Sequence, residues 1–142
     1  MFSKEESKLI RQEFWTSFGK SFPKKWILYD TKIKDFSFKF HFDRKKAIVA
    51  LDIEGDIENR IIYYEKVTAL KSILIQEYIP ELIFNDIFFL ENGKEISRIY
   101  IQKDGLSIHN KNTWRDAMEF LNKNMIAFET FFNEYKDFIK NN

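Results

Sequence analysis

Phe36, Phe38, Phe40 and Phe42 alternate with Ser37, Lys39 and His41. Strand side chains point to opposite faces in turn, so this stretch makes a strand with one face of rings and one polar face. A helix would scatter the same rings around its axis. Such a strand needs a neighbour, and the sequence supplies it. Asp43-Arg44-Lys45 reads as a turn, and residues 46–54 read as a second strand. Ala47, Val49, Leu51 and Ile53 fall on one of its faces, and Ile48, Ala50, Asp52 and Glu54 on the other. The two strands form a hairpin whose apolar face has to be covered.

Amphipathic helices supply the cover. Ser3 and Glu6 have capping-box spacing, and Ile10, Phe14 and Phe18 then recur every fourth residue until the Phe22-Pro23 step. Trp26–Tyr29 reads as a short extended anchor. A second helix follows Asp56 as N-cap, with Tyr63, Val67, Leu70, Leu74 and Tyr78 as its buried stripe and Pro80 as its stop. The last helix opens at Thr113 and carries Met118, Leu121, Met125, Phe128, Phe132, Tyr135 and Ile139. Phe120, Phe131 and Phe138 widen this stripe beyond a two-stranded coiled-coil seam. The helix is therefore expected to pack on the sheet, with part of its surface free to form an oligomer interface.

Between the second and last helices lies another hairpin. Ile87–Leu90 is a short strand, Asn92-Gly93 a type I′ turn, Glu95–Lys103 the return strand, and Leu106–His109 a short edge strand. The expected architecture is α+β, in the order α-ββ-α-ββ-α. It has three long helices and a four- or five-stranded antiparallel sheet of two hairpins, with residues 1–142 as a single domain.

Several function classes lose ground on the same sequence. With no Cys, thiol chemistry and Cys-ligated zinc are excluded. No Gly-rich phosphate loop, nucleophile elbow or zinc-protease motif occurs, and no cofactor is expected. Met1-Phe2-Ser3-Lys4 opens no signal-peptide stretch, and no apolar run reaches the ~18 residues a membrane span requires. No membrane association is expected, and the cytoplasm is the expected compartment. The formal net charge of +1 is low for a dedicated nucleic-acid binder. It is unevenly spread, however. Residues 1–46 hold 12 Lys and Arg against 6 Asp and Glu, whereas residues 47–142 hold 11 against 16.

Some stretches resemble a known family. They are Glu5-Glu6-Ser7-Lys8 leading to Phe14-Trp15-Thr16-Ser17-Phe18-Gly19, then Trp26-Ile27-Leu28-Tyr29 and Ser97-Arg98-Ile99-Tyr100. Trp114, Met125 and Phe128–Phe132 complete the set. Together they resemble the bacterial family catalogued as domain of unknown function 4268, over nearly the whole chain. These motifs are aromatic and structural, and the resemblance implies no activity. Longer relatives attach the domain to nuclease-like segments, which implies an accessory role near nucleic-acid processing or defence.

Three candidate sites stand against plainer structural roles. Arg98 and Tyr100 share a strand face, where Arg98 is either an anion ligand or half of a structural ion pair. Lys39, Arg44, Lys45 and Lys46, with Lys32 and Lys34 before them, form a basic hairpin over residues 32–46. It suits single-stranded nucleic acid, or else it protects a sheet edge from aggregation. Asp43, Asp52 and Glu54 have the look of a nuclease site in which carboxylates hold Mg²⁺, although Glu54 stands where such sites carry a lysine. His41 and His109 are read as surface or hydrogen-bonded histidines. The leading expectation is an interaction or accessory module without catalytic activity. It self-associates, as a dimer, or binds another protein, with nucleic acid as the alternative partner.

Overall fold

The computed structural model describes residues 2–141. The alternating phenylalanines form β1, Phe36–Phe42, and the chain returns as β2, Lys46–Ile53. They pair antiparallel, with Phe36 opposite Ile53 and Phe42 opposite Ala47. Asp43 shapes the turn by accepting hydrogen bonds from the backbone N–H groups of Lys45 and Lys46. The second hairpin is β3, Ile83–Phe89, and β4, Glu95–Asp104. The sheet order is β1-β2-β4-β3, so β2 and β4 form the centre and β1 and β3 the edges.

One sheet face carries the core. Phe36, Phe38, Phe42, Val49, Leu51, Ile53 and Ile99 are buried there. The helix α1, Lys4–Ser21, contributes Phe14 and Phe18 to the same core, and α2, Ile57–Thr68, contributes Val67. The longest helix, α4, Trp114–Lys140, lays Leu121, Met125, Phe128 and Phe132 across the sheet. Rings meet at ordinary packing distances, with Phe38 and Phe128 centroids 5.5 Å apart and Phe14 and Phe42 4.6 Å apart. The Ser3–Glu6 capping box closes reciprocally at the start of α1. In α4 the seven-residue stripe is spent inside the molecule, with Tyr135 half-buried and the other six side chains buried.

The structure corrects the sequence reading at four places. The second helix does not run unbroken to Pro80. It stops at Thr68, where the Leu70 N–H turns to the Val67 carbonyl and tightens the last turn. A short α3, Lys71–Ile73, follows and widens into a π turn over Leu74–Tyr78, where the N–H of Ile79 reaches back to the carbonyl of Leu74. Among the described residues there is no fifth strand. Residues 106–109 turn inward, burying Leu106 and Ile108, and the Ile108 carbonyl accepts the Trp114 indole N–H. Thr113 does not cap α4 with its side chain, because its hydroxyl is held by Ser107 and Asn110. A 3₁₀ turn over Lys111–Thr113, capped by Asn110, leads into the helix instead. The β3–β4 loop is not type I′, since only Gly93 has positive φ, at 88°. It is the three-residue form, closed by the Gly93 N–H donating to Leu90 and the Leu90 N–H donating to Lys94.

A second constraint sits where β2 leaves the sheet. Gly55 has φ 88°, and a Cβ there would fall on the Asp35 carboxylate. The N–H of Glu54 also donates to the Asp35 carbonyl, which holds the two segments together. Gly55→Ala is expected to destabilise the protein by about 2 kcal/mol or more. Gly93→Ala shares the φ of 88° but meets nothing within 4 Å, so its loss should be smaller. Urea unfolding of the two variants side by side checks the difference.

Candidate functional site

The helices all lie against the face of Phe36, Phe38 and Phe42, which leaves the other sheet face to its own side chains. Register places Ser37, Asp52 and Arg98 in one row across β1, β2 and β4, with Lys39, Ala50 and Tyr100 in the next. Ile48, Ala50 and Ile96 are buried on this face although they stand outside the helix-covered core. Long charged side chains cover apolar surface with their stems while their heads stay polar. Lys39 and Arg98 have this shape and this position.

Asp52 is fully buried. Arg98 grips it bidentately, Nε to Oδ1 at 2.7 Å and Nη2 to Oδ2 at 2.8 Å. Lys39 Nζ lies 3.4 Å from the same carboxylate and 3.1 Å from Glu54, and Lys94 reaches Glu54 at 2.7 Å. The guanidinium of Arg98 stacks 4.6 Å from the Phe88 ring, which in turn packs on Tyr100 at 5.6 Å. Burial alone would depress the Lys39 ammonium, but Asp52 and Glu54 beside it raise its pKa above the ordinary value. Burial would likewise raise Glu54, yet hydrogen bonds from Lys94 and Lys39 hold it below the usual carboxylate range.

The candidate residues therefore divide into two groups. Arg98 and Tyr100, Lys39, Asp52 and Glu54 come together on the free sheet face, joined by ion pairs and the Phe88 ring. Asp43, Arg44, Lys45 and Lys46 sit at the β1–β2 turn. There Asp43 is held by His41 at 2.7 Å, Lys46 at 3.2 Å and two backbone N–H groups. Asp52 and Glu54 are neighbours, but Asp43 belongs to the other group. Among the described residues no set of three or more His, Asp or Glu side chains is placed to hold a metal ion.

The turn group lines a groove of about 750 Å³ between the hairpin and α1. Arg11 and Trp15 form its helix wall, Phe40 and His41 its β1 wall, and Arg44, Lys45 and Lys46 its end. His109 closes the rim, its Nε2 3.1 Å from Ser7 Oγ and its ring 4.4 Å from that of Phe2. Arg11, Trp15 and His109 were not among the sequence candidates, because no local pattern shows that residues far apart in the chain share one opening.

Other buried charges also have partners. Arg60 donates to Ser97 Oγ and to the carbonyl and carboxylate of Glu95. Glu129, buried in α4, accepts from the Ile27 N–H and pairs with Lys24 at 3.1 Å, tying the segment before β1 to that helix. Among the described residues no buried side-chain nitrogen or oxygen lacks a hydrogen-bond partner.

A family model described as Domain of unknown function (DUF4268) matches residues 10–136, and the chain belongs to that family. No curated protein and no solved structure matches it. Among the described residues no helix is long and apolar enough to cross a membrane.

The ionic row predicts an asymmetry. Among the described residues, removing Asp52 leaves Arg98 buried with only the Phe88 ring, whereas removing Arg98 leaves Asp52 with Lys39. Asp52→Leu is expected to cost about 3–5 kcal/mol, the usual penalty for a stranded buried charge, and Arg98→Met distinctly less. Unfolding free energies from urea titration decide the order.

A pH dependence follows from the turn. Partial burial would raise Asp43, but hydrogen bonds from His41 and from the Lys45 and Lys46 backbone hold it far below its ordinary 3.8. A carboxylate depressed on folding stabilises the fold above the unfolded pKa and loses that contribution as pH falls through the folded one. Asp43→Asn should therefore be less stable than the parent at pH 7. The gap should narrow steadily below pH 3.8, as thermal melts across pH will show.

Proposed function

We propose that this family member is a cytoplasmic interaction module without catalytic activity of its own. The observation that carries the reading is the pairing of its buried charges. Asp52, Arg98, Arg60 and Glu129 each have structural partners, and reactive groups need at least one side chain left free for a substrate. The cysteine-free composition supports the compartment.

The sheet edges support an interaction role. The β1 edge is occupied by the preceding loop, through the Phe38 N–H donating to Leu28 and the Thr31 hydroxyl donating to the Phe36 carbonyl. Among the described residues β3 has no such cover, and Ile83, Ile87 and Phe89 are exposed on it. Ile57 and Ile61 of α2 are exposed as well. An open apolar edge strand is a docking place for a protein, a second copy of the chain included. The α4 stripe itself lends this reading no support, being buried in the core, while Ile126 and Phe138 are exposed on the same helix. A second reading, an accessory to nucleic-acid processing, is supported by the basic groove beside β1.

The test is direct. Purified protein incubated with labelled DNA and RNA and with a chromogenic phosphodiester, with Mg²⁺ or Mn²⁺ present, should form no product above the blank. Turnover abolished by Glu54→Gln, in protein shown to be folded, would contradict the proposal.

A further inference from the structure

We propose that the groove beside β1 binds single-stranded nucleic acid. This rests on reading the chain as a binding module and names the ligand class. β1 is an edge strand, so side chains from both its faces reach one opening, Phe40 from the helix side and His41 from the other. The charge in that opening is open to solvent. Arg11, Arg44 and Lys45 are exposed and, among the described residues, make no ion pair. Asp43 is already held by His41 and Lys46. Glu91, the other acid in the wall, leaves the cations in the majority.

The rings set the choice among polyanions. Trp15 and Phe40 are half-buried, their centroids 6.1 Å apart, and both also line an adjoining hollow of about 270 Å³ with Leu28 and Tyr29. Tyr29 is 72% exposed. A ring-lined hollow therefore opens directly beside a cationic groove. Single strands can splay bases onto aromatic side chains while phosphates track positive charge, whereas a duplex keeps its base faces stacked inside. An acidic peptide would satisfy the cations and leave the rings unused.

The test is fluorescence anisotropy of the full chain with a labelled oligodeoxythymidylate of about 12 residues. Binding is expected at low salt, with log K falling by about 2 per tenfold increase in salt if three phosphates are neutralised. The variant carrying Arg44→Glu and Lys45→Glu should bind at least about tenfold more weakly and melt like the parent, since among the described residues neither side chain has a structural partner. Tyr29→Ala should weaken binding while leaving the salt slope unchanged. No binding at low salt overturns the inference and leaves the module reading standing. Equal affinity for a duplex or for polyglutamate also overturns it. An oligonucleotide that binds through the groove and is recovered cleaved supports the site and overturns the non-catalytic reading.

Discussion

The bidentate pair between Asp52 and Arg98 fixes the middle of the sheet. β2 and β4 are the central strands, and their charged partners meet directly across the ladder on the face that no helix covers. A bare apolar face would need another layer of helix or sheet. Here Ile48, Ala50 and Ile96 are buried on a face that also carries Arg98, Lys39 and the Phe88 ring, and a buried carboxylate holds Arg98 in place. The arrangement is costly to break, because each charge has given up water for a single set of partners. It also ties register to chemistry. A one-residue slip would turn Asp52 into the phenylalanine core.

That division explains how charge is used. On the free sheet face the ions are spent on structure, linked from Arg98 through Asp52 and Lys39 to Glu54 and Lys94. At the β1–β2 turn Lys46 pairs with Asp43, while Arg44, Lys45 and, on α1, Arg11 stay open to solvent. Both groups are rich in lysine and arginine, and among the described residues Arg11, Arg44 and Lys45, which make no ion pair, belong to the second. A chain with a formal net charge of +1 can therefore still present a positive groove, because charge is placed rather than accumulated.

Much of the fold was legible because its signals are local. The Phe36–Phe42 alternation, the Ser3–Glu6 box and the Met118–Ile139 stripe each fall within one element, and each formed as its periodicity dictates. Elements whose fate is decided by distant partners were not legible. Leu106 and Ile108 were drawn into the core instead of pairing as a strand. The candidate site divided in the same way. Asp52 and Glu54 were readable as strand neighbours, while the Asp52–Arg98 contact spans 46 residues and depends on strand order. Arg11 and Trp15 reach the groove only because α1 lies beside the hairpin, which no spacing rule reveals.

The most direct check is a double-mutant cycle on Asp52 and Arg98, using Asp52→Leu, Arg98→Met and their combination in urea unfolding. If this pair holds the uncovered face together, the two positions should couple by at least about 2 kcal/mol, and the doubly apolar protein should remain folded. Additive losses, with no coupling beyond error, would contradict the account.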